Sequence, residues 1–132
     1  MKDFLFKIYI AAIACLMMLS GCAITPNLLD KDFTKEMVPS RQTYFSQVWA
    51  AEGNNEFRVS GKIHLKGSMG FNVPDYVEVT LVDEKGAVVE SQKVPYYPRR
   101  LTGRKRHLAA RFTAHFTETP PSGTIIRLSN VN

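Results

Sequence analysis

The stretch Phe57-Arg58-Val59-Ser60-Gly61-Lys62-Ile63-His64-Leu65 alternates between apolar or small residues and polar ones without a break. A helix would scatter that pattern around its circumference, whereas a strand sorts it onto two faces. The segment is therefore a half-buried strand whose apolar face needs a second layer to cover it. A later run repeats the demand: Leu108, Ala110, Phe112, Ala114 and Phe116 are expected to face inward, with His107, Arg111, Thr113 and His115 outward. Two such strands in one short chain exclude a helical bundle and require stacked or closed sheets.

The neighbouring sequence supplies further strands. Residues 43 to 50, TYFSQVWA, are rich in aromatic and branched residues, and Glu52-Gly53-Asn54-Asn55 offers turn chemistry. Residues 43 to 65 are thus expected to form a β-hairpin. Val77, Val79 and Leu81 alternate with Glu78 and Thr80, Asp83-Glu84-Lys85-Gly86 reverses the chain, and AVVESQKV returns as the partner strand. Pro95 and Pro98 mark the end of that strand, because proline inside a sheet forfeits a ladder hydrogen bond. Pro120-Pro121-Ser122-Gly123 turns the chain into a last strand, TIIRLS. Six strands and no helix of three turns predict a small antiparallel β-sandwich, immunoglobulin-like or transthyretin-like, with an open barrel as the competing arrangement.

The first residues obey a different logic. Lys2 and Lys7 precede an apolar run from Ile8 to Leu19, about 12 residues where a membrane span needs ~20. That layout fits a secretory signal. Leu19-Ser20-Gly21-Cys22 at its end resembles the lipobox of bacterial lipoproteins, an apolar residue and two small ones before cysteine. The resemblance covers residues 1–22. It implies that residues 1–21 are a removed signal peptide and that Cys22 is the acylated first residue of the mature chain. Cys15 leaves with the signal, so no disulfide is expected in the remaining ~110 residues. Two or more acyl chains give stable anchoring. Ala23, rather than the aspartate of many lipoproteins held at the inner membrane, points by the same resemblance to the outer membrane facing the periplasm, if the cell is Gram-negative.

Residues 22–42 are expected as a lipidated tether and 43–132 as the domain. Within the tether, Asn27 is positioned to cap a short helix bearing Leu29, Phe33 and Met37 on one face, the plainer alternative being a partly ordered linker.

Charge is unevenly placed. Without Lys2, Asp3 and Lys7 the chain keeps fifteen basic and eleven acidic residues, and no acid occurs between Glu90 and Glu118. That window holds Lys93, Arg99, Arg100, Arg104, Lys105, Arg106 and Arg111, and its loop also carries Tyr96 and Tyr97. Arginine beside aromatic residues suits an anionic head group, an anionic envelope polymer or an envelope protein. A solvated loop that keeps an edge from aggregating is the plain alternative. Nucleic acid suits the same charges and ranks below these partners for an envelope protein.

Other chemistry is thinly supported. His107 and His115 lie about 26 Å apart along one strand, and His64 can approach only one of them, so no metal site is expected. Ser68 in GSMG and Ser122 in PPSG lack a nucleophile-elbow pattern, and no carboxylate pair or phosphate-binding glycine loop stands out. Met69-Gly70-Phe71 falls in a connection, either as a contact patch or as cover for the end of the sandwich. No catalytic residue and no cofactor are therefore expected. Beyond the lipobox, residues 57–83 are similar to secretion-pilot lipoproteins, in which a strand like VSGKIHL precedes a proline and a VEVTLVD-type strand. The later half departs in loop length and in its basic run, so no functional residue is carried across. The expectation is a non-enzymatic binding or assembly-support module, the alternative being an envelope hydrolase or metal carrier with a loop-built site.

Overall fold

The structure, a computed structural model, describes residue 7 and residues 25–29, 31–66, 74–98 and 108–131. The rest of the expected signal segment, Cys22, Ser68, the Met69-Gly70-Phe71 stretch and residues 99–107 lie outside the described residues. Eight strands follow one another: β1 Thr34–Met37, β2 Thr43–Gly53, β3 Glu56–Leu65, β4 Tyr76–Val82, β5 Val88–Val94, β6 Tyr96–Tyr97, β7 Ala110–Phe116 and β8 Ile125–Val131. They form two four-stranded sheets, ordered β1-β8-β4-β5 and β2-β3-β7-β6. All pairings are antiparallel except β1 with β8. Two separate sheets face each other across one core, which is the sandwich and not the barrel.

Local chemistry makes the hairpins. Asn54 and Asn55 both take positive φ, 50° and 60°, the geometry of the two-residue turn that matches strand twist. At the β4–β5 turn, the Asp83 carboxylate accepts from the backbone N–H of Lys85 and of Ala87, at 2.9 and 2.8 Å. Gly86 then completes the reversal at φ 86°, a conformation open to glycine without steric cost.

The two alternating runs behave as the period of two requires. Phe57, Val59, Ile63, Ala110, Phe112, Ala114 and Phe116 are buried, opposite Val77, Val79, Leu81, Ile126 and Leu128 of the other sheet. Leu108 departs from this reading. Pairing with β3 begins only at Ala110, opposite Ile63, so Leu108 precedes the ladder and is exposed.

In β2 the alternation breaks. Ser46 pairs with Lys62 and Trp49 with Ser60, leaving Gln47 and Val48 opposite Gly61 alone. Gln47 takes φ 48° at this bulge. The extra residue shifts the inward set from Thr43 and Phe45 to Val48 and Ala50, and leaves Trp49 on the same outer face as Tyr44. Gly61 is required there: a Cβ would stand 2.8 Å from the Phe112 ring and 3.2 Å from Val48.

Residues 25–42 are not simply a tether, and the expected helix is replaced by one turn and a strand. The Asn27 side chain does cap, accepting from the N–H of Leu29 at 3.1 Å, but its oxygen also accepts from Ala50 N–H at 3.1 Å. Leu28 N–H donates back to Ala50 O, closing that part of the β2 edge. Leu29 and Phe33 are buried, and the Phe33 ring meets Phe57 edge-on at 5.2 Å. An isolated helix of this length is marginal in water, whereas β1 gains ladder bonds to β8 while Leu29 and Phe33 join the core. The other strand missing from the sequence reading, β6, consists of two residues between Pro95 and Pro98.

Candidate functional site

The outer faces of the two sheets carry different chemistry. On the β1-β8-β4-β5 sheet, polar side chains satisfy one another. Thr80 Oγ1 lies 3.0 Å from Ser91 Oγ, and Ser91 donates to Glu78 Oε1 at 3.0 Å. Arg127 Nε donates to Glu36 Oε2 at 3.1 Å, and Lys93 stands opposite Glu78 in the ladder.

On the β2-β3-β7-β6 sheet, cross-strand pairing aligns the outward residues in rows. Tyr44 faces His64, and their rings stack with centroids 4.7 Å apart and 6° between planes. The next row runs Ser46, Lys62, Arg111, Tyr97 across all four strands. Then come Trp49, Ser60 and Thr113, and after them Ala51, Arg58 and His115. Directly opposed residues in a ladder lie about 5 Å apart at Cα. Lys62 and Arg111 are thus adjacent like charges, an arrangement that disfavours folding.

Neither finds an acid: the only carboxylate paired on this face among the described residues is Glu56, which meets Arg58 at 3.4 Å and His115 at 3.3 Å. Exposed aromatic area surrounds the cations, with Tyr97 80% exposed, Tyr44 47% and Trp49 41%. His64 is held in place, its Nε2 2.6 Å from Ser46 Oγ. The face is an open, cationic, aromatic surface that can take an anion at its centre and flat groups at its edges.

The residues anticipated from the basic loop divide. Tyr97 belongs to this face. Tyr96 does not: one step along a strand reverses side-chain direction, so Tyr96 is buried opposite Phe112 and its hydroxyl donates to Pro74 O at 2.5 Å. Arg99, Arg100, Arg104, Lys105 and Arg106 lie outside the described residues, on the chain between Tyr97 and Arg111, which pair with each other. Lys62, Trp49 and Tyr44 were not singled out as site residues from the sequence. The outward position of Lys62 is legible there, but its meeting with Arg111 depends on which strands pair.

Other parts of the molecule offer less. Beside the β4–β5 turn, an open cavity of about 320 Å³ is lined by Asp83, Glu84, Lys85, Pro121, Ser122 and Thr124. The Asp83 carboxylate there is committed to the turn. His64 and His115 stand on neighbouring strands at opposite ends of the face, and His107 lies outside the described residues. Among the described residues, no three His, Cys, Asp or Glu side chains gather to hold a metal ion, and no helix is long and apolar enough to cross a membrane. No protein-family model, curated protein or solved structure matches this chain.

Proposed function

We propose that the chain is a cell-envelope lipoprotein: a small β-sandwich, anchored by acyl chains on Cys22, that acts without catalysis as a binding or assembly-support module. The anchoring rests on the Leu19-Ser20-Gly21-Cys22 motif behind its short apolar run. For a Gram-negative cell, the module is displayed from the outer membrane into the periplasm. The observation that carries the binding role is the Lys62–Arg111 pair, set among exposed Tyr97, Trp49 and Tyr44 and given no acidic partner among the described residues. A face that served only the fold would favour opposite charges at those two positions, as at Glu78 and Lys93 on the other sheet.

Two measurements test the two halves of this reading. Mass spectrometry of the native protein is expected to show a new N-terminus at Cys22 bearing a diacylglycerol thioether; an intact Met1 or an unmodified sulfur refutes the anchoring. A photo-crosslinking residue placed at Tyr97 is expected to capture an envelope component in intact cells, while one placed at Lys93, on the opposite face, captures none. Equal capture from both positions refutes the assignment of the face.

A further inference from the structure

We infer that the outer face of the β2-β3-β7-β6 sheet lies on the membrane itself, with its cations over anionic phospholipid headgroups and its edge rings among them. This deepens the reading above and rests on acylation of Cys22. The place where the anchor enters the fold favours lipid over a partner in solution. Five residues separate Cys22 from Asn27, at most about 18 Å of extended chain. At Asn27 the chain is already fixed to the edge of this sheet. The Asn27 side chain accepts from Ala50 N–H at 3.1 Å, and Leu28 N–H donates to Ala50 O at 3.0 Å. β2, which holds Ala50, is the outermost strand. Acyl chains on Cys22 therefore hold the β2 edge close to the headgroup layer.

That edge carries Trp49 and Tyr44, both exposed on the outer face. Tryptophan and tyrosine suit the headgroup level, where the ring is buried while its polar atom stays wet. Lys62 lies one strand in from β2 and Arg111 two, about 5 and 10 Å at the spacing of a sheet. Both reach the headgroups when the face lies flat.

Charge selects which face turns down. Glu56 takes up Arg58, whereas Lys62 and Arg111 have no acidic partner among the described residues. The outer face of the β1-β8-β4-β5 sheet sets Glu36 beside Arg127 and Glu78 beside Lys93, and so offers an anionic bilayer no net attraction. An acidic polymer in solution would meet the same cations, but it gains nothing from the short connection at β2. A tethered surface acts at high effective concentration.

Trp49 is the only tryptophan in the chain and reports the contact. The full-length acylated protein is reconstituted in vesicles of phosphatidylcholine, alone or mixed with phosphatidylglycerol. Each preparation includes phosphatidylcholine brominated on its acyl chains just below the headgroup, a contact quencher of tryptophan. Trp49 is expected to be quenched in the mixed vesicles and to recover as salt is added, while the protein still floats with them. A basic residue near an anionic surface is worth roughly fivefold in the ratio of docked to undocked protein, so Lys62→Ser with Arg111→Ser should lower that ratio about thirtyfold. Lys93→Ser, on the other sheet, leaves quenching unchanged. A photo-crosslinking residue at position 49 is expected to form phospholipid adducts in intact cells.

The inference is overturned if Trp49 is quenched equally in neutral vesicles, or not at all in mixed vesicles with which the protein floats. Adducts at position 49 to a protein or polymer in place of lipid overturn it as well, and leave the face a binding surface for that partner. Failure to float, with an unmodified Cys22 by mass, refutes the anchoring and this inference with it, a result distinct from flotation without quenching.

Discussion

The two outer faces of this sandwich are built on the same four-stranded plan and spend their polar residues in opposite ways. One is closed on itself: Thr80, Ser91 and Glu78 form a chain of hydrogen bonds, and Arg127 and Glu36 pair across β8 and β1. The other leaves Lys62 beside Arg111 and exposes three aromatic rings. The contrast teaches how a sandwich can set one outer face apart from the other through its charges and rings alone. Residues that satisfy one another contribute to stability; residues that repel one another reduce it.

The comparison depends on the bulge in β2, and filling the space opposite it is the strongest way to break it. Gly61→Val drives a branched side chain against Phe112 and Val48, where a Cβ alone would stand 2.8 Å and 3.2 Å away, so the bulge or the core has to shift. A loss of about 3 kcal/mol is expected in denaturant unfolding, together with a changed environment for Trp49. Retention of both stability and the tryptophan spectrum would show that the Gly61 contact does not hold the bulge.

A smaller effect tests the closed face. Thr80→Val removes the hydroxyl of a buried residue and leaves Ser91 with one partner fewer; it should cost about 1 kcal/mol. The smallest prediction sharpens the contrast through its sign. Arg127→Ser loses a half-exposed ion pair and should lower stability by no more than about 0.5 kcal/mol. Lys62→Ser relieves repulsion and should raise it by a similar amount. Urea midpoints measured side by side decide the matter, and two losses of equal size would erase the distinction between the faces.

What could be read from the sequence followed the regularity of each strand. β3 and β7 have no bulge, so their alternation transferred directly to burial, with Leu108 misplaced because the period continues beyond the point where pairing stops. β2 hid its two faces, since the Gln47–Val48 bulge resets the period within eight residues. β1 and β6 were invisible for another reason. Thr34–Met37 are mostly exposed at a sheet edge and show no alternation, while Tyr96–Tyr97 are too few to show any. The site was legible only in part for the same physical cause. Tyr97 stood out through its basic neighbours, and Tyr96 came with it because sequence proximity does not tell which face a residue takes. The Lys62–Arg111 contact joins residues 49 positions apart, and only strand pairing brings them together.

The clip formed by Asn27 and Leu28 on Ala50 has a mechanical consequence. A pull applied at residue 25 loads these two hydrogen bonds before it reaches any strand. Behind them, Leu29 and Phe33 act as toggles seated under the sheets, and β1 is gripped along its length by a parallel neighbour. Tension along β1 therefore shears several bonds at once instead of peeling them singly, so a load entering at residue 25 is absorbed in β1 before it can disturb the aromatic surface.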